Sequence, residues 1–537
     1  MARMTGGQAL VRSIYREGVR VIFGLPGVQL YHAMDALYDE PGIRFITTRH
    51  EQATTYMADG YARASGDIGT AMVVPGPGLQ NAGAGIGNAY AASSPVLVIA
   101  GQINRDNIGK DVGILHEVND QLEIVRPVTK WRARALRAGE IPDVVQGAFY
   151  QLRTGRPRPV EIEMPPEALA EVGDIELYEP DTFHSSPGDE EAIEAAAGLL
   201  LEAKRPVIWA GGGVHSSGAW QELLDVAEYL QAPVITTPEG KGAISDRHYL
   251  SIGVPRGRST GQVRDSLRKY FEGCDVTLAV GTRFATGEAP ETQKVIQIDV
   301  DEEEVGRNHP DTLGIVGDAR LALRRLLVGL REAGLPRPSR KAECEDLRSQ
   351  RHDPTQQVEP LGSFVRVVRE VMPDDGILVP DMTQVGYYSR AHYPVYQPRT
   401  YFTSSYAGNL GFAYPTALGM KVAKPDVSVV AICGDGGFLF NSQEMATAAQ
   451  FGINVVVIVF NDGAFGNVLR DQQTMFSGRT IGAELRNPDF VKLAQAYGLL
   501  AMRARGPDEL KSMLRKATEK DVPALIEVPV GLLPEPF

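Results

Sequence analysis

Cysteine is scarce in this chain: 537 residues contain three, Cys274, Cys344 and Cys433. They lie far apart and lack metal-ligand spacing, which excludes a disulfide framework and points to a reducing compartment. Long apolar runs are missing too. None reaches the length needed to span a bilayer. The start, Met1-Ala-Arg-Met-Thr-Gly-Gly-Gln-Ala-Leu10, has no apolar leader segment. A cytoplasmic location and no membrane partner are therefore expected. Basic residues are in deficit, 54 Lys and Arg against 67 Asp and Glu, a net charge of −13. This favours solubility and argues against a nucleic-acid partner. The densest acidic stretch, Asp299-Val-Asp-Glu-Glu-Glu304, reads as a solvated helix start, with a metal site as the lesser alternative. There is no short-period repeat.

The length exceeds what one core can organise. Strand–helix alternation runs from residue 19 to about 165. A polar, proline-bearing linker follows over 165–188. A second alternating unit starts near Glu190, with apolar runs at Pro206, Ala232, Val276 and Val295. Another polar stretch, 336–358, precedes a third unit. The expected fold is α/β, three doubly wound parallel-sheet domains over 1–170, 188–335 and 358–537.

The most informative motif is Gly434-Asp435-Gly436, followed at a distance by Asn461-Asp462-Gly463. The run Val427-Ser-Val-Val-Ala-Ile-Cys433 predicts a buried strand, 442–451 a helix, and Asn454-Val-Val-Val-Ile-Val-Phe460 the next strand. In a βαβ unit both strand ends open on one sheet edge. That edge then carries one carboxylate, one carboxamide and glycine-exposed backbone. These are hard oxygen ligands suited to Mg²⁺, which fills its remaining positions with phosphate and water. Glycines let a diphosphate approach the main chain and a helix N-terminus.

This pattern resembles the diphosphate motif of thiamine diphosphate (ThDP) enzymes, Gly-Asp-Gly, a helix, then Asn-Asn. Phe460 stands at the first Asn position and Asn461 at the second. The resemblance implies a Mg²⁺ site of Asp435, Asn461 and the Gly463 carbonyl, with Gly434, Gly436 and Gly437 along the diphosphate. Thr383 and Gln384, after the run ending Val379-Pro-Asp, resemble a further diphosphate contact. Leu410, in Ser404-Ser-Tyr-Ala-Gly-Asn-Leu-Gly-Phe, takes the place of the apolar residue beneath the cofactor, and reads equally well as a core leucine.

The first domain resembles the pyrimidine-binding half. Arg49-His-Glu51, followed by Met57-Ala-Asp-Gly-Tyr-Ala-Arg63, matches the signature whose Glu bonds the aminopyrimidine N1′. On composition alone Glu51 reads as a helix-terminal carboxylate. Pro26 and Gly27, in Phe23-Gly-Leu-Pro-Gly27, resemble the early Gly-x-Pro-Gly. Gly76 and Asn81, in and after Val73-Val-Pro-Gly-Pro-Gly78, resemble the loop under the pyrimidine.

Over nearly the whole chain the resemblance is to acetolactate synthases and pyruvate oxidases, closest to acetolactate synthase-like large subunits. It implies decarboxylation of a 2-oxoacid and carboligation to an aldehyde or ketone. It also implies a homodimer or homotetramer with each active site between subunits. A non-oxidative 2-oxoacid decarboxylase or acyloin lyase, and an FAD-dependent pyruvate oxidase, are the alternatives. A non-catalytic regulator would lack Glu51 or Asp435, and both are present. Where acetolactate synthases carry Phe-Gln-Glu over the thiazolium, this chain has Leu115, His116 and Glu117. His116 is a candidate proton donor or a plain loop residue. Gln121, Ala464, Phe465, Asn467 and Arg470 complete the expected substrate pocket. FAD stays open: Gly211-Gly-Gly213 and Gly281-Thr-Arg283 resemble flavin-contact positions, but the Asp-Asp-Arg pattern after Phe284 is missing.

Overall fold

Three parallel sheets carry the chain in the computed structural model, which describes all residues except 256–265, 286–288, 291, 335, 352–356 and 537. In the first sheet the strands lie in the order Arg44–Thr47, Val21–Gly24, Gly69–Val73, Val96–Gly101, Val160–Met164, Trp131–Arg134. The order reverses between Val21–Gly24 and Gly69–Val73, so the loops after these strands part and leave a crevice. Pro26, Gly27 and Gly76 sit on those two loops. The second sheet runs Ser251–Gly253, Val234–Thr236, Pro206–Ala210, Val276–Val280, Lys294–Asp299, Thr312–Val316. The third runs Ile377–Pro380, Val429–Gly434, Val455–Asn461, Ala524–Pro529, Leu500–Arg503. Strands such as Val96–Gly101 are buried along their whole length, so they are apolar without alternation. No helix among the described residues is long and apolar enough to cross a membrane.

The first and third domains share one continuous apolar core. At its centre the helix Glu51–Ser65 packs on the helix Ala413–Ala423. The contact is glycine-mediated. A side chain at Gly60 would strike the Thr416 carbonyl, and one at Gly419 the Met57 carbonyl. Backbone thus meets backbone, and the helix that begins at Glu51 is held rigidly on the third domain.

Two expectations change. The linker 165–188 opens with the helix Pro166–Ala170 and the strand Val172–Ile175, which pairs antiparallel with Ala2–Thr5. Its partner is far away in sequence, so local composition could not reveal it. The acidic run is a helix start, with Asp301 capping the short helix Glu302–Glu304 and Glu302 and Glu303 exposed, but it is solvated only in part. Asp299 and Glu304 are buried. Arg156 bonds Asp299 at 2.7 Å and Asp301 at 2.9 Å, and Arg307 reaches Glu304 at 3.3 Å. These arginines match charges the sequence left unpaired, and no metal cluster of three or more His, Cys, Asp or Glu occurs among the described residues.

Candidate active site

The strands Val429–Gly434 and Val455–Asn461 are in register, with Gly434 beside Phe460. Asp435 and Asn461 therefore leave the same sheet edge. Asp435 is buried at the start of the short helix Asp435–Phe438. Its Oδ1 accepts the Gly436 N–H at 2.9 Å, and its Oδ2 accepts the Gly463 N–H at 2.9 Å. Gly463 has φ +72°, a left-handed conformation that favours glycine. The Asn461 amide donates to Glu527 at 2.9 Å.

Asn487 joins this group, and the sequence reading missed it. Its amide nitrogen bridges Asp435 Oδ2 at 2.5 Å and Asn461 Oδ1 at 2.9 Å. It comes from a segment without regular structure and carries no motif. Its own Oδ1 is buried without a partner, as is Gln384 Oε1. Next to Asp435, the Asp462 carboxyl is pushed up to about 6 by burial and then by the Asp435 charge. Crowded anionic and carbonyl oxygens with orphaned acceptors fit a hard divalent cation.

A cavity of about 360 Å³ opens over this edge, lined by Thr383, Gln384, Leu410, Gly434 to Gly437, Ala464, Phe465 and Asn467. At Gly436 a side chain would meet the Phe465 ring at 2.6 Å, so the glycine keeps the cradle open. Asn467 accepts the Gln384 amide at 3.3 Å. Arg470 does not line the cavity: its guanidinium donates to the Leu533 carbonyl. The Leu410 turn is fixed by Asp381, which accepts the Gly411 N–H at 3.0 Å, while Asn441 donates to the Gly411 carbonyl at 2.8 Å. Burial pushes the Asp381 carboxyl up to about 7, against the pull of the Met382, Ala413 and Gly411 amides.

In the first domain Glu51 is the first residue of its helix, after an extended His50 whose Nδ1 accepts the Gln52 N–H at 3.2 Å. The Asn81 amide donates to Glu51 Oε2 at 3.0 Å. Two sequence-predicted positions are thereby joined across 30 residues. Gly76 has φ +57°, and a side chain there would strike the His116 carbonyl. His116 is half-buried, and its Nδ1 lies 3.2 Å from Gln29 Oε1. Leu115 is 63% exposed. Gln121 corrects the expected substrate pocket. It is fully buried, accepting the Gly76 N–H at 2.8 Å and donating to Gly101 O at 2.8 Å and Glu163 at 2.6 Å. Its amide is spent holding the Gly76 loop and has nothing to offer a substrate.

Neither Glu51 nor Asn81 is among the residues that line the cavity at Asp435. The 360 Å³ cavity is lined wholly by residues of the third domain. A second cavity, about 390 Å³, lies where the three domains join. Its arginines serve the architecture: Arg63 pairs with Glu239 at 2.6 Å, and Arg399 donates to the carbonyls of Arg63 and His215 at two helix ends. In the central domain Gly211 and Gly213 pack on Gly281, where any side chain would meet backbone. Their glycine identity is thus explained by the contact between two strand ends. Residues 286–288, in the stretch where the flavin pattern was sought, lie outside the described residues.

A glycine-floored cavity edged by Asp435 on the third domain, and a helix-start glutamate bonded to Asn81 on the first, are of the kind seen in proteins that bind a phosphorylated cofactor between α/β domains. The chain belongs to the thiamine pyrophosphate enzyme family. Family models match its N-terminal TPP-binding domain over residues 4–124, central domain over 193–326 and C-terminal TPP-binding domain over 381–528. Among curated relatives it is similar to the probable acetolactate synthase large subunit of Methanocaldococcus jannaschii, 37% identical over 98% of this chain and 92% of the relative. The acetolactate synthase isozyme 3 large subunit of Escherichia coli is 32% identical, covering 97% and 93%. A probable 2-ketoarginine decarboxylase of Pseudomonas aeruginosa is 33% identical, covering 98% and 94%.

Proposed function

We propose that this enzyme decarboxylates a small 2-oxoacid with ThDP and Mg²⁺ and joins the remaining acyl unit to an aldehyde or ketone. The observation that carries the reading is the polar cluster at one sheet edge, where Asp435 accepts the Gly463 N–H and Asn487 bridges Asp435 to Asn461, beside a glycine-floored cavity that Asp435 lines. When bound, ThDP supplies a carbon nucleophile for the 2-oxoacid carbonyl and an electron sink for loss of the carboxylate. Asp435, Asn461 and the Gly463 carbonyl would hold Mg²⁺, the glycine backbone at 434–437 would receive the diphosphate, Leu410 would pack against the cofactor, and Glu51, oriented by Asn81, would bond the aminopyrimidine N1′.

Because the diphosphate cavity draws on one domain only, we infer that a second copy of the chain supplies Glu51, in a homodimer or homotetramer. FAD is not part of this reading. A non-oxidative 2-oxoacid decarboxylase is the second reading. It is favoured by the 2-ketoarginine decarboxylase relative and by a half-buried His116 able to deliver a proton. A panel of 2-oxoacids, scored for CO₂ release and for acyloin or acetohydroxyacid formation, separates the two. Acyl transfer to an added acceptor supports carboligation; free aldehyde alone supports the second reading. No CO₂ release from any member overturns both.

A further inference from the structure

We propose that Glu444 is a positioning residue: it reaches from the third domain to the turn preceding Glu51 and sets where that carboxylate lies. Glu444 ends the turn Ser442–Glu444, directly before the helix Met445–Phe451. Its side chain is fully buried. Oε1 accepts the Arg49 and His50 N–H groups, both at 3.1 Å. Oε2 accepts the Arg49 N–H at 3.1 Å and the Thr447 hydroxyl at 2.6 Å.

Arg49 and His50 are the two residues immediately before Glu51, and His50 is the residue that caps its helix. Their backbone donors find this carboxylate across the domain boundary, 394 and 395 residues away. The same helix docks the segment at two more points. Arg49 Nη2 donates to Gln450 Oε1 at 2.5 Å, and Arg44 Nη2 donates to the Phe451 carbonyl at 3.3 Å. A buried carboxylate is costly unless several donors converge on it. Here two of the three donors belong to the backbone that launches the Glu51 helix, at its electropositive end. A charge kept at that cost fixes direction more than it adds stability. Glu444 is nine positions after Asp435 in the chain. One stretch of the third domain thus carries the cation ligand and grips the cofactor-activating segment of the first.

The inference rests on the assignment of Glu51 to the aminopyrimidine, and the test separates the two. Glu444→Gln keeps the shape but turns an NH₂ toward backbone donors. In the full-length protein loaded with ThDP and Mg²⁺, proton exchange at the thiazolium C2 should slow by about tenfold or more, since misplacing a proton-handling group by a fraction of an ångström has effects of this order. ThDP affinity by calorimetry should stay close to wild type, because the diphosphate ligands are untouched. In cofactor-free protein, hydrogen–deuterium exchange of the peptide carrying the Arg49 and His50 amides should accelerate. Adding Glu444→Gln to Glu51→Gln should slow C2 exchange no further, because Glu444 acts only through Glu51. If Glu51→Gln slows C2 exchange and Glu444→Gln does not, or if the two effects multiply, the proposal is overturned. If Glu51→Gln itself leaves C2 exchange unchanged, the assignment of Glu51 fails first. Should Glu444→Gln not fold, Thr447→Val removes only the hydroxyl that orients Glu444; unchanged C2 exchange and unchanged amide exchange in it also overturn the proposal.

Discussion

At the residue scale the chemistry concentrates on a few buried polar groups. Asp435 is the anionic member of the proposed cation site, so Asp435→Ala should abolish Mg²⁺-dependent ThDP binding. Calorimetry with and without chelator checks this, and wild-type affinity in the variant would refute the assignment. His116 is a choice between two outcomes. Protonation competes with transfer to a second carbonyl after shared steps, so His116→Gln should alter product ratio more than substrate consumption. It should move product from aldehyde toward acyloin at fixed acceptor; an unchanged ratio and pH profile make His116 a loop residue. Asp381 gives a pH prediction. Burial disfavours the charge and pushes its native carboxyl up to about 7, well above an unfolded carboxylate. Between about pH 4 and pH 7 the native state binds the extra proton, so this group's contribution to stability is full at low pH and is lost as pH rises through 7. Denaturant melts of cofactor-free protein should show wild type losing stability relative to Asp381→Asn across that window. Parallel curves would contradict the shift.

At the scale of elements, the helix pair Glu51–Ser65 and Ala413–Ala423 meets through a contact that tolerates no added carbon. Any Cβ at Gly419 meets the Met57 carbonyl, so Gly419→Ala forces two helices apart. Overpacking of this kind costs about 1–3 kcal/mol. Gly198, on the exposed side of the helix Glu190–Glu202, has nothing within 4 Å of the place a methyl group would take. There Ala should stabilise by about 0.4–1 kcal/mol through the unfolded chain. Thermal unfolding of the two variants should therefore move in opposite directions. The element that bears the proposed cation site is more local: strand, turn, short helix, and a second strand in register. Its ligands are fixed by spacing along the chain. The Glu51 helix, by contrast, packs both on its own domain and across the domain boundary on Ala413–Ala423.

At the scale of the whole molecule, the proposed homodimer, with Glu51 from one copy and Asp435 from the other at each site, can be tested by complementation. A subunit carrying Glu51→Gln and one carrying Asp435→Ala are each expected to be inactive alone. After subunit exchange in an equimolar mixture, each mixed dimer holds one site with both defects and one with neither. About a quarter of wild-type activity should return, since half of the dimers are mixed. Recovery of none would mean that both residues act within one chain.

Much of the site could be read before any tertiary structure, because its determinants are local. Glycine spacing, a polar residue at each strand end and alternating apolar runs placed Asp435, Asn461 and Gly463 on one edge, and a strand-to-helix change placed Glu51 at a helix start. Three features were out of reach. Asn487 comes from an irregular segment with no periodicity, yet bridges Asp435 and Asn461. Gln121 looked like a pocket residue, and only packing shows its amide consumed by Gly76, Gly101 and Glu163. Asp299 and Glu304 looked solvated until Arg156 and Arg307 closed on them. Sequence by itself determined which groups stand at strand ends and helix starts, and so which are suited to a cation, a diphosphate or a proton. Tertiary structure decided which are free to do so, because pairing of buried polar groups joins residues hundreds of positions apart, and no local pattern encodes that distance.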